Sequence, residues 1–109
     1  MPENPYSRQF TSPFADTEIE DALDVPKLYG VKIHNDDYTP MDFVVQLLMQ
    51  VFRKAEAEAT SLMLDVHEKG HGLAGVYSYD IAATKMMQAQ RMADAAGFPL
   101  KITMEETME

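Results

Sequence analysis

Around residues 35–40 the hydrophobic period of the chain changes, and that change restricts the fold more than any other feature of the sequence. Before it, LYGVKIH alternates Tyr29, Val31 and Ile33 with polar or small residues, the two-residue period of a half-buried strand. After it, Phe43, Val44, Leu47, Leu48, Val51 and Phe52 recur at helical spacing and make a wide apolar stripe. Between the two, NDDYTPM turns the chain: Asn35 is suited to an Asx-turn, and Asp36 and Asp37 favour the positive end of a helix dipole. Thr39 is placed to cap the helix, with Pro40 at its first position, where a missing N–H costs nothing. A strand and a helix that each carry one apolar face must bury those faces on a shared core.

The same punctuation continues along the chain. Arg53 and Lys54 close the first helix with charge that complements its dipole, and a second helix is expected over 55–69. In it Ala59, Leu62, Met63 and Val66 face inward, and Glu56, Glu58 and Asp65 face outward. Gly70 stops it, and Gly72 and Gly75 frame a strand, LAGVYSY. Ser78 caps a third helix whose inner face and flanks carry Ile81, Ala82, Lys85, Met86, Ala89, Met92 and Ala93, with Gly97 and Pro99 ending it. LKITM is the last strand, followed by an acidic tail. The expected fold is therefore α+β, a three-stranded, largely antiparallel sheet covered on one face by three helices.

At 109 residues and 46% hydrophobic composition the chain fits one domain with one core. Residues 1–26 hold four of the six prolines and an acidic stretch without a sustained apolar period, and are read as a flexible N-terminal extension to a folded domain over 27–109. Within that extension Ile19, Ala22 and Leu23 have helical spacing. The absence of cysteine removes disulfide and thiolate-metal chemistry, and no apolar run or N-terminal pattern indicates a membrane span or a signal peptide. A cytoplasmic, monomeric protein is expected. A net charge of −9 disfavours phosphate backbones and anionic lipid, so neither nucleic acid nor membrane is an expected partner.

Two stretches compete for a chemical role. HEKGH, with His67, Glu68 and His71, spells the H-E-x-x-H of zinc hydrolases, which needs both imidazoles on one face of a continuous helix. Gly70 between them should end the helix first and turn the rings apart, and no metal or cofactor is expected. NDDYTPM reads either as a plain helix start or as a receptor for a cation, because an ammonium group has donors only and needs acceptors around it. Met49, Met86, Met87 and Met92 are expected in the core, whereas Met41 and Met63 carry unbranched thioethers suited to a pocket that takes several large apolar groups.

NDDYTPMDFVV, ATSLMLDVHEKGHGLAGVYSYDIAATK and GFPLKITME together resemble the ClpS adaptor family, over residues 26–106. The resemblance implies a bacterial, non-enzymatic adaptor that binds N-terminal Leu, Phe, Tyr or Trp (N-degrons) and delivers their bearers to the ClpA unfoldase of the ClpAP protease. It further implies that Asn35, Asp36 and His67 hydrogen-bond the substrate's α-amino group, and that Thr39, Met41, Val44, Met63, Val66 and Leu100 line the side-chain pocket. Met63 is its implied gate against β-branched residues, and Tyr38, Asp80 and Lys85 fall where the family meets the N-terminal domain of the unfoldase. The sequence departs from that family's usual pattern at Lys32, His34, Ala74 and Asp80. By the residues alone, a zinc hydrolase and a generic interaction domain remain the alternatives.

Overall fold

The computed structural model describes residues 26–107, so the N-terminal stretch, including Ile19, Ala22 and Leu23, lies outside the described residues. The elements run β1 (Leu28–His34), α1 (Met41–Gln50), α2 (Glu56–Lys69), β2 (His71–Ser78), α3 (Tyr79–Ala96) and β3 (Lys101–Glu106). β1 is central and both neighbours are antiparallel to it, in the order β2-β1-β3. The succession of elements and the antiparallel pairing agree with the expected α+β sheet, and the central place of β1 is set by pairings that the periods leave open.

The alternation in β1 decides which face is buried. Val31 and Ile33 are fully buried, and they join Ala74 of β2 and Ile102 of β3 in one core with Leu47 and Leu48 of α1, Val66 of α2 and Ala82, Ala89 and Ala93 of α3. α3 lies across all three strands, α2 packs on β2, and α1 packs on α2. Leu73, Val76, Lys101 and Glu105 remain exposed on the strands. Each fully buried aliphatic side chain such as Leu48 stabilises the fold by roughly 1.5–3 kcal/mol.

Several local expectations are corrected. Pro40 and not Thr39 holds the N-cap of α1, without a side-chain cap bond, because the Thr39 hydroxyl is spent on Asp36. The Asx-type turn is made by Asp36, not Asn35. α1 ends at Gln50, so Val51 and Phe52 are buried beyond the helix, and Arg53 takes a left-handed φ of 57° instead of serving the last turn. Gly72 and Gly75 lie inside β2 and do not frame it: a Cβ on Gly72 would come within 2.7 Å of a Val66 methyl. The extra residue Ala74 makes a bulge where the β1–β2 register shifts. Ile81 and Met87 are exposed on α3, and Leu100 precedes β3. Gly70 and Gly97 do close α2 and α3 in left-handed conformations, with φ of 94° and 81°.

Candidate functional site

The end of β1 and the end of α2 meet through one backbone hydrogen bond, from the Asn35 N–H to the Gly70 carbonyl at 2.9 Å. That bond sets the acidic turn beside the last turn of α2, which carries His67, exposed to solvent. The turn itself is organised by one carboxylate. Asp36 Oδ1 accepts the Tyr38 and Thr39 N–H groups at 2.7 and 2.8 Å, and Oδ2 accepts the Thr39 hydroxyl at 2.7 Å. Burial acts to raise the pKa of Asp36, but the hydrogen bonds from the Thr39 side chain and from the Tyr38 and Thr39 backbone outweigh it, and the group titrates below the usual carboxylate range. With about two lone pairs per oxygen, Oδ1 is saturated and Oδ2 keeps room for one further donor. Asn35 and Asp37 are exposed.

The apolar candidates differ in how far they are buried. Val44 of α1, Val66 of α2 and Leu100 are 6%, 2% and 2% exposed and belong to the same core, Met63 packs against it half-buried, and Met41 is 42% exposed at the start of α1. Thr39 sits half-buried between turn and helix. Two surface hollows of about 300 and 290 Å³ are present, one bordered by Lys32, Leu73 and Lys69, the other, at the start of α1, by Pro40, Phe43 and Phe98. Neither is lined by Met41, Val44, Met63 or Leu100.

HEKGH does not form the zinc-hydrolase arrangement. α2 ends at Lys69, so His67 belongs to the helix while His71 opens β2. His71 instead faces His34 across the β1–β2 ladder, with ring centroids 6.2 Å apart, and His34 Nε2 lies 2.8 Å from the Thr103 hydroxyl.

The remaining residues are dispersed. Tyr38 is 77% exposed just past one end of β1, whereas Asp80 follows Ser78, the partner of Leu28 at the other end. At about 3.3 Å per residue those ends are roughly 20 Å apart. The Lys85 ammonium donates to the Val51 carbonyl at 2.6 Å, which satisfies a backbone acceptor just beyond α1. Like that bond, two further contacts were not legible in the sequence: the Gly70 carbonyl that receives Asn35, and Gln90, whose Nε2 donates to the Leu100 carbonyl at 3.0 Å. Both join positions distant along the chain, and no motif marks either.

Similarity to known proteins agrees with this architecture. The family model described as ATP-dependent Clp protease adaptor protein ClpS matches residues 24–103. The ClpS adapter protein of Syntrophus aciditrophicus is 54% identical over 82% of this chain and 83% of its own length, and that of Acetivibrio thermocellus is 55% identical over 73% and 81%. A structure of Agrobacterium tumefaciens ClpS2 bound to L-phenylalaninamide is 42% identical, covers 76% of this chain and all of that one, and superposes with a TM-score of 0.74. A family match over residues 24–103, which spans β1 and the acidic turn, and relatives above 50% identical over about four fifths of the chain show that it belongs to the ClpS family of ATP-dependent Clp protease adaptor proteins.

Proposed function

We propose that this protein is a non-enzymatic, cytoplasmic adaptor that grips the first residue of substrate chains and presents them to a ClpA-type AAA+ unfoldase. The observation that carries the reading is the Asp36 carboxylate, which accepts three hydrogen bonds from its own turn and by lone-pair count has acceptor capacity left on Oδ2. An α-ammonium brings three donors and no acceptor, and Asp36, the Asn35 amide and the His67 ring supply complementary groups. The carbonyl end of α2 adds partial negative charge on the same side.

Thr39, Met41, Val44, Met63, Val66 and Leu100 form the apolar half of the site in this reading, with Met63 as the gate. L-phenylalaninamide, the ligand of the ClpS2 relative, stands in for the first residue of a peptide: a free amine, a benzyl side chain and an amide where the chain would continue. Burying one such side chain contributes roughly 1.5–3 kcal/mol. Each charge-assisted hydrogen bond adds a similar amount. After the costs of association, affinity of about −8 kcal/mol, in the micromolar range, follows.

Tyr38, Asp80 and Lys85 are assigned to unfoldase docking; Tyr38 adjoins the amine site through its N–H on Asp36, whereas Asp80 lies near the opposite end of β1. Residues 1–26 act as an extension of the domain over 27–109. The test is fluorescence anisotropy with a Phe-initiated peptide and its N-acetylated twin. Acetylation should abolish binding, and equal affinity for both defeats the reading. In the same assay Met63→Ala should admit peptides beginning with Ile or Val, and an unchanged profile removes Met63 from the gate.

A further inference from the structure

The loop between α3 and β3 has only residues 97–100 in which to turn the chain and deliver Leu100 into the core. Its first half is well tied. The Gly97 N–H donates to the Asp94 carbonyl and the Phe98 N–H to the Ala93 carbonyl, both at 3.0 Å, and the Phe98 ring meets Phe43 edge-on at 4.8 Å. Its second half has less backbone to hold it, because Pro99 has no N–H and the β1–β3 ladder begins only at Lys101, opposite His34.

Gln90 fills that gap from the middle of α3. Its Nε2 donates one hydrogen to the Leu100 carbonyl at 3.0 Å and the other to Asp94 Oδ1 at 3.2 Å. Two acceptors fix the orientation of the amide, since the flipped form would set its oxygen against two oxygens. Asp94 thus orients Gln90, and Gln90 holds the backbone from which the Leu100 side chain enters the core that also contains Val44 and Val66.

We propose that Gln90 is a specificity-determining positioning residue, which sets the side-chain preference of the pocket by fixing Leu100 through its carbonyl. The inference rests on the adaptor reading above, in which Leu100 is part of the pocket. Apolar pockets discriminate by close fit, so displacement of one wall by a methylene's worth of space shifts relative affinities by about tenfold or more. The amine end shares no bond with Gln90: it is built on Asn35 and Asp36 and tied to Gly70. Loss of the Gln90 contact should therefore change which first residue is preferred and leave sensitivity to acetylation intact.

Gln90→Glu keeps the shape and removes both donors. Affinities of this variant for peptides beginning with Leu, Phe, Tyr and Trp, and for the acetylated Phe peptide, should show a Trp-to-Leu ratio shifted on the order of tenfold. Discrimination against acetylation should be unchanged, and Gln90→Lys, which restores a donor, should return the ratio toward wild type. Asp94→Ala, at an exposed position, should shift the ratio in the same direction by less. It carries the test if Gln90→Glu does not fold. A lower Tm with an unaltered ratio, or no shift in Asp94→Ala when that variant alone is folded, overturns the inference while a wild type that still rejects the acetylated peptide keeps the adaptor reading. A wild type indifferent to acetylation overturns both.

Discussion

The two chain reversals that meet at the Asn35–Gly70 hydrogen bond are made in opposite ways. At residues 35–39 a side chain does the work: Asp36 gathers two backbone N–H groups and a hydroxyl, and the turn depends on an ionised carboxylate. At residues 69–71 the backbone does it: Gly70 adopts a φ of 94°, with nothing within 4 Å of where a Cβ would stand. The first reversal is chemically active and sensitive to pH, whereas the second is steric and inert. A site that must bind charge is expected to rest on both, one group supplying the chemistry and the other holding it against the helix end.

Asp36→Ala should break the first reversal most severely. Loss of three hydrogen bonds at a half-buried position should cost about 2 kcal/mol of stability in urea titrations. Affinity for a Phe-initiated peptide should fall by roughly tenfold to a hundredfold, the worth of one charged hydrogen bond. A variant of wild-type stability and affinity would separate Asp36 from both roles. Gly70→Ala should cost less, about 1 kcal/mol, all of it from backbone strain, and Gly70→Asn should recover part of that. Equal stabilities of wild type and Gly70→Ala would mean that the left-handed turn relaxes.

The pH dependence sharpens the contrast. The folded pKa of Asp36 lies below its unfolded value of 3.8, so its stabilisation is complete above that value and is lost as pH falls through the folded pKa. His34 is also depressed, by burial first and then by Lys101, His71 and Lys32, against a smaller opposing pull from Glu105. The fold therefore holds neutral His34 more tightly, and stability should rise with pH from the folded His34 value up to 6.5. Urea midpoints from pH 3 to 8 should have a smaller lower step in Asp36→Asn, the remainder belonging to Glu105, which Lys32 also depresses, and should lose their upper step in His34→Gln; identical profiles for all three proteins would contradict the assignment. The smallest effect belongs to Arg53, a side chain held at φ 57° where glycine is at ease. Arg53→Gly should stabilise by roughly 0.5 kcal/mol, the relief of strain less the added freedom of the unfolded chain, and a loss of stability would show that Arg53 makes a compensating contact.

Much of this was legible because it is local. Alternation at Tyr29, Val31 and Ile33 placed β1 and its buried face, helical spacing from Phe43 to Leu48 placed α1, and Gly70 and Gly97 marked two helix ends. Gly70 also disposed of the apparent zinc motif, since it lies between His67 and His71. The failures arose where neighbouring residues share the same chemistry or where a distant contact decides. Asn35 and Asp36 are equally able to form an Asx-turn, and only the path of the chain selects Asp36. Gly72 resembles a strand boundary until Val66 of α2 is seen to press on it. Lys85 is legible as a flank residue of α3, but the closure of the Val51 carbonyl 34 residues away by its ammonium is not.

The central claim is that the free position on Asp36 receives the first nitrogen of a substrate chain. A crystal structure of the protein with a Phe-initiated peptide measures it directly. The α-nitrogen should lie about 2.7–2.9 Å from Asp36 Oδ2, with Asn35 and His67 as its other neighbours and the benzyl group against Val44, Val66 and Leu100. A bound peptide whose α-nitrogen faces solvent, with the Asp36 turn unchanged and unengaged, would contradict the account.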